Sequence, residues 1–262
     1  MVGATLHLLM EGVAAFYIGH SLVGPTLPRM MDDLVDQRVE YSIINGAPLE
    51  WIWDHSSGAE GRDGRDWLPR NPVEALVLTE RVPLHGTVAY HDSGRFSRKW
   101  VDLAAQGNPQ VQPFLYESWH SLDSGTGVDV PHDDHDDIPW RARLDQDLPL
   151  WRAIVDEANR DLPPGRAPMK LIPAGQAMAR LSDAIDAGEV PGLDSIRQLF
   201  SDDIHPNGLG FYFVAMVHYA SITGESPVGL PTRLSGHPGP TPEQARILQE
   251  IARQTVAEFP TP

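Results

Sequence analysis

Five short, nearly continuous apolar runs punctuate the chain, at 14–18, 39–44, 75–79, 112–116 and 169–172. Strands covered on both faces of a sheet read this way, without the alternation of a half-exposed strand. Between and after them lie segments with apolar positions at helical spacing: 28–35, 98–106, 148–160, 176–187, 208–223 and 242–258. In 148–160 the stripe is Leu148, Trp151, Ile154, Val155 and Ala158. Segment 208–223 is apolar on nearly every side, as a buried helix is. Thr241 before Pro242 forms a cap and first-turn pair for the last helix. Strands alternating with helices predict an α/β fold, a three-layer α/β/α sandwich around a five-stranded parallel sheet.

Two stretches exceed that frame. Residues 50–71 are rich in Gly, Asp, Arg and Trp, and residues 122–147 in Asp, Gly and His. Both follow predicted strands, which puts them on the carboxyl-end rim of the sheet, where open α/β folds bind ligands. Residues 227–240 form a Pro/Gly-rich link to the last helix. The expectation is one domain over 1–262 with two rim insertions, a length that buries a substantial core.

Composition narrows the function classes. Asp plus Glu number 36 against 20 Lys plus Arg, a formal net charge of −16, which repels nucleic acid and anionic lipid. A neutral small-molecule or saccharide ester fits this charge better than a polyanion, unless a local basic pocket overrides the average. With no cysteine, disulfides, thiolate metal sites and cysteine nucleophiles are excluded. No apolar run reaches transmembrane length. Segment 5–15 is mildly apolar, but Glu11 interrupts it and no basic stretch precedes it, so no full secretory signal is visible. A periplasmic or secreted location after loss of a leader and a cytoplasmic location both stay open, as does the oligomeric state.

The candidate chemistry sits at the two ends. Phe16–Leu22 reads as a buried strand ending on Ser21, and Asp202-Asp203-Ile204-His205-Pro206-Asn207 puts a carboxylate three residues before a histidine at the mouth of a helix. Serine, histidine and carboxylate are the minimum set for nucleophilic acyl transfer. Ser21 also suits a helix cap, and Asp202 a capping acid beside an exposed His205. Asp203 has the wrong spacing and is assigned to solvent.

These blocks resemble the SGNH/GDSL hydrolase superfamily, a flavodoxin-like fold, over roughly Tyr17 to Gly229. Gly19-His20-Ser21-Leu22 resembles the nucleophile block, Asn45-Gly46 the glycine block after the second strand, and Asp202-x-x-His205-Pro206 the final block. The third block departs from the pattern: no Gly-x-Asn-Asp follows the third strand, which ends Val77-Leu78-Thr79-Glu80-Arg81. Glu80 stands there, as Gln or Glu does in divergent members, and Tyr116-Glu117-Ser118-Trp119 also resembles that branch. The resemblance implies Ser21 as nucleophile, His205 as base, Asp202 as its orienter, and the amides of Ser21 and Gly46 as oxyanion donors. A carboxylate donates to an oxyanion only when protonated, so Asn45 is the alternative to Glu80 as side-chain donor.

The implied function is a serine esterase that removes a short acyl group, by family habit acetyl, from a carbohydrate or related alcohol, with no cofactor and no metal. An acyltransferase using the same triad and a catalytically silent carbohydrate-binding module are the rivals. A metal-dependent hydrolase built on the His132–Asp137 run is a third, although a solvated acidic loop explains that run better. Substrate contacts are assigned to His20, Trp51, Trp53 and Trp119, against the alternative that these rings anchor loops. Trp51 and Trp53 would share one face of an extended segment. Arg62, Arg65, Arg70 and Arg81 are each candidates to hold a carboxylate, with surface ion pairing the plainer reading.

Overall fold

The computed structural model describes residues 13–35 and 37–259. Most of the segment weighed above as a leader, residues 5–12, lies outside the described residues. In chain order the elements are β1 (Val13–Gly19), α1 (Thr26–Leu34), β2 (Arg38–Ile43), α2 (Leu49–Asp54), β3 (Glu60–Gly61), α3 (Gly64–Trp67) and β4 (Val73–Leu78). They continue with α4 (Leu84–Tyr90), α5 (Ser93–Gly107), β5 (Gln112–Tyr116), α6 (Trp140–Asn159), β6 (Lys170–Ile172), α7 (Ala174–Asp186), α8 (Gly208–Thr223) and α9 (Pro242–Glu258).

The sheet order is β3-β2-β1-β4-β5-β6. Strands β2, β1, β4, β5 and β6 pair in parallel. The sixth, β3, is an addition to the predicted five: two residues of the first insertion pair antiparallel with β2, Ser42 against Gly61 and Ile43 against Glu60. A two-residue strand carries no periodicity, so nothing in the pattern announces it.

Alternate side chains of each strand feed two cores. Tyr17, Val77, Phe114 and Tyr116 join Met30 of α1, Met178 of α7, Phe213 of α8 and Leu248 of α9 on one face. Phe16, Ile18, Leu76, Leu78 and Leu115 join Trp100 of α5 and Trp151 and Ile154 of α6 on the other. Both faces are therefore dry, which explains why the strands read as unbroken apolar runs. Among the described residues, no helix is long and apolar enough to cross a membrane.

The insertions are more ordered than their composition suggests. The first contains α2, β3 and α3, and it is fastened by Arg62, which donates from Nε and Nη2 to the buried carboxylate of Glu40 at 3.0 Å each. In the second, α6 starts at Trp140, eight residues before the predicted start, and carries Pro149 inside it. Proline removes one helical N–H and usually marks a first turn, which is why the pattern placed the start next to it.

Candidate active site

Carboxyl ends of the strands build the site. Strand β1 ends at Gly19, where a Cβ would lie 2.6 Å from Thr79 Cγ2 and 2.9 Å from Val23 Cγ2. Only glycine lets the chain turn sharply between the ends of β1 and β4 there. The turn is closed by Val23 and Gly24, whose amides donate to the His20 carbonyl at 2.9 and 3.1 Å. Helix α1 begins only at Thr26, so Ser21 lies in the turn and caps no helix.

His20 fixes this turn. It is 3% exposed, its Nε2–H donates to the Glu80 carbonyl at 2.9 Å, and its Nδ1 accepts from the Leu22 amide at 3.4 Å. Burial lowers its pKa to about 4, with the nearby His205 and Arg81 adding to the effect, so the ring is neutral. Its assignment as a substrate contact is thereby corrected: the ring braces the turn from inside.

The distant Asp202–His205 turn meets Ser21 here. Ser21 Oγ–H donates to His205 Nε2 at 2.9 Å, and His205 Nδ1–H donates to Asp202 Oδ2 at 2.7 Å. The other oxygen of Asp202 accepts the amides of His205 at 2.6 Å and Ile204 at 2.9 Å. Burial pushes the Asp202 carboxyl up, but those two amides and the imidazole outweigh it and hold the group below its ordinary value. The arrangement assigns the ring proton to Nδ1 and leaves Nε2 as the acceptor facing the serine. The side chains of His205 and Asp202 are 40% and 50% exposed, so water reaches the pair.

Several contacts hold the turn rigid. Asn207 Oδ1 accepts the amides of Leu209 and Gly210, capping α8. Trp119 Nε1 donates to the Ile204 carbonyl at 2.9 Å. Asp203, expected in solvent, instead accepts from Ser121 Oγ and through its carbonyl from the Leu122 amide at 2.7 Å. Trp119 is fully buried against Tyr116 and Phe200, which corrects its assignment to substrate. Sequence reasoning missed the contacts of Trp119, Ser121 and Leu122 because each joins residues about 80 positions apart.

Beside Ser21, the Ile44 amide donates to the Gly19 carbonyl at 3.1 Å, bringing the Asn45–Gly46 turn to the end of β1. Gly46 has φ +68°, the left-handed region glycine tolerates. Among the described residues, the amides of Ser21 and Gly46 donate to no protein acceptor, and the exposed Asn45 side chain is likewise unengaged. Glu80 is different. It is fully buried, and its Oε1 accepts the amides of Leu49 at 3.1 Å and Arg81 at 2.7 Å. Burial raises its pKa. Its Oε1 organises the chain after β4, while its Oε2 is buried without a hydrogen-bond partner among the described residues.

The remaining rim residues separate clearly. Trp51 is 52% exposed and stacks on His55 at 3.8 Å. Trp53 packs edge-on against Trp100 under Arg65 and Lys99. Both lie on helix α2, not on an extended segment, so they do not share a face. The His132–Asp137 run is only partly solvated. Asp133 is buried and pairs with the fully buried Arg143 of α6, while His135 lies 4.2 Å from His85, ring to ring. Among the described residues, no three His, Asp or Glu side chains converge as metal ligands would. This loop instead forms a wall of a cleft of about 560 Å³ whose lining includes Gly46, Arg81, Tyr90 and His132.

No family model matches the sequence, and no curated protein matches it. Similarity appears in solved structures. A DUF4886 family protein from Bacteroides uniformis ATCC 8492 superposes with a TM-score of 0.67 at 12% identity, covering 95% of this chain and 96% of its own. A putative GDSL-like lipase from Parabacteroides merdae ATCC 43184 superposes with a TM-score of 0.50 at 12% identity, covering 82% of this chain and 96% of its own. The chain has an SGNH/GDSL-like fold.

Proposed function

We propose, from this SGNH/GDSL-like fold and the site at its rim, that the protein is a serine hydrolase of carboxylic esters working as a single domain. The carrying observation is the relay Asp202–His205–Ser21, with hydrogen bonds of 2.7 and 2.9 Å beside two unengaged amides. Ser21 Oγ attacks the ester carbonyl as its proton passes to His205 Nε2. The amides of Ser21 and Gly46 receive the oxyanion. The tetrahedral intermediate collapses to an acyl-serine, and the imidazolium gives its proton to the leaving alcohol. Water, deprotonated by His205, then releases the acid and restores the serine. Asp202 keeps the ring in the required tautomer and balances its charge.

The finer reading is a deacetylase of a carbohydrate or related alcohol. Exposed Trp51 offers a flat apolar face at the rim, suited to a sugar ring. Hydrolysis is favoured over acyl transfer because the half-exposed Asp202–His205 pair does not exclude water. A side-chain oxyanion donor is the weak point, since Glu80 commits one carboxyl oxygen to the Leu49 and Arg81 amides and buries the other. One missing donor costs about 3 kcal/mol of barrier, so modest rates are expected, with Asn45 as the nearby substitute. This same feature supports the rival reading of a binding module without turnover.

Labelling with a fluorophosphonate probe tests the proposal. Modification of the wild-type protein that is lost in Ser21→Ala is the expected result. No labelling, together with no hydrolysis of 4-nitrophenyl acetate, would overturn it. Acetate release from a panel of acetylated sugars then tests the substrate class.

A further inference from the structure

We propose that Arg81 forms a subsite for a carboxylate carried by the ester substrate. This rests on the esterase reading above and names the substrate class more closely.

The cleft of about 560 Å³ is lined by Gly46, the proposed oxyanion donor, together with Arg81, Val82, Pro83, Tyr90 and His132. Its lining thus combines residues following β2 with residues following β4, the strands on either side of β1. In this sheet order β1 and β4 flank the point where the chain changes direction, the usual ligand crevice of open α/β folds. A substrate with its carbonyl oxygen at the Gly46 amide has this cleft open to the rest of its atoms.

Among the described residues, Arg81 is the one Lys or Arg that lines the cleft. The other three arginines weighed from the sequence are all engaged: Arg62 with Glu40, Arg70 with Asp66, and Arg65 over Trp53. Among the described residues, Arg81 has no acidic partner; its guanidinium makes one contact, from Nε to Thr87 Oγ1 at 3.2 Å. Thr87 is itself fixed by donating to the Pro83 carbonyl at 3.1 Å, and the Arg81 amide is held by Glu80 at 2.7 Å. Backbone and Nε are thus anchored, while the two terminal nitrogens, the pair that forms a fork with a carboxylate, have no protein acceptor. Asp134 also lines the cleft, from the opposite loop, and makes no ion pair with Arg81. With one arginine and one acid in its lining, the cleft repels a dianion such as phosphate or sulfate more than a single carboxylate. Tyr90, 84% exposed, gives the same cleft an aromatic wall for a ring that bears the acid.

Steady-state kinetics with matched esters test this. 4-Nitrophenyl hemisuccinate against 4-nitrophenyl butyrate places the carboxylate on the acyl side. 4-Acetoxybenzoate against its methyl ester places it on the alcohol side. In one pair, the charged ester should exceed its neutral match in kcat/KM by about tenfold, the size of one charge-assisted hydrogen bond. That ratio should fall toward one in Arg81→Gln, be partly kept in Arg81→Lys, and shrink with added salt. Neutral esters favoured in both pairs, or a ratio indifferent to Arg81→Gln, would overturn the subsite. Calorimetric binding of 4-acetoxybenzoate and its methyl ester to Ser21→Ala reads the subsite without turnover. An Arg81-dependent preference there, in a protein that hydrolyses nothing, would keep the subsite and remove the esterase reading.

Discussion

The indole of Trp119 donates to the carbonyl of Ile204 at 2.9 Å, so a fully buried ring after β5 holds the turn that presents Asp202 and His205. Trp119→Phe keeps most of the packing and removes this bond. A stability loss of about 1 kcal/mol is expected. A roughly tenfold drop in kcat with KM little changed should accompany it, because the base loses its position while the binding surface stays. Thermal melts and steady-state kinetics on the same preparation check both.

The two partners of Ser21 should separate in kind. His205→Ala removes the base and should lower kcat by at least about 10³-fold without lowering the melting temperature much, since the ring is 40% exposed. Asp202→Asn keeps the turn but reverses the preferred ring tautomer. A loss of about 10²-fold is expected, smaller than for a buried triad acid because water also serves this carboxylate. Full activity in both variants would remove the relay.

Two glycines should respond differently to alanine. At Gly19 an added Cβ meets Thr79 and Val23 at 2.6 and 2.9 Å, so Gly19→Ala should destabilise the fold by about 2 kcal/mol. At Gly46 nothing lies within 4 Å, and the cost is the left-handed backbone alone, about 1 kcal/mol. Gly46→Ala should therefore fold and lose kcat through its displaced amide. Denaturant midpoints and kcat for both variants distinguish these effects.

The Arg143–Asp133 pair lies in the interior, and Arg143 Nη2 also faces the buried Asp147 at 3.7 Å. Arg143→Met strands these two buried acids and should cost about 3–5 kcal/mol. Arg143→Met with Asp133→Leu should recover part of it. Urea unfolding of the single and double variants reads the difference.

Acid stability follows from three buried histidines. Burial lowers His20 to about 4 and both His120 and His218 to about 3, from an ordinary 6.5. Between pH 6.5 and those values the unfolded chain binds more protons than the folded one, so stability falls as pH falls and is unaffected by them above 6.5. Glu117 acts oppositely: burial raises it to about 8 from 4.5, so its contribution falls as pH rises across that range. Below pH 4.5 only the histidine effect remains of these two. His218→Phe should flatten the decline of melting temperature between pH 6.5 and 3, and an unchanged slope would refute the assignment.

The long strands and the two C-terminal helices were legible because each is defined by local pattern: apolar runs with both faces covered, an all-apolar helix over 208–223, and the Thr241-Pro242 start. Ser21, Asp202 and His205 were legible as types at block positions, although Ser21 and His205 lie 184 residues apart. Short α2, α3 and α4 were not, since four to seven residues hold too little of a 3.6 period. The burial of Trp119, His20 and Glu80 was not legible either. Each is polar or amphipathic, lies at a rim by sequence, and is drawn inward by a partner on another element: Ile204 for Trp119, the Glu80 carbonyl for His20, and Leu49 for Glu80.

Strand β3 has a consequence for self-association. A parallel sheet ending on β2 would offer a row of free N–H and C=O groups to any passing chain. The first insertion occupies part of that row with two residues, Glu60 and Gly61, follows them with the Arg62–Glu40 pair, and then turns away. On the far side, β6 is only three residues long. With one border covered and charged and the other too brief to template, the sheet resists growing by strand addition, and a high concentration of folded protein should stay free of fibrillar assembly.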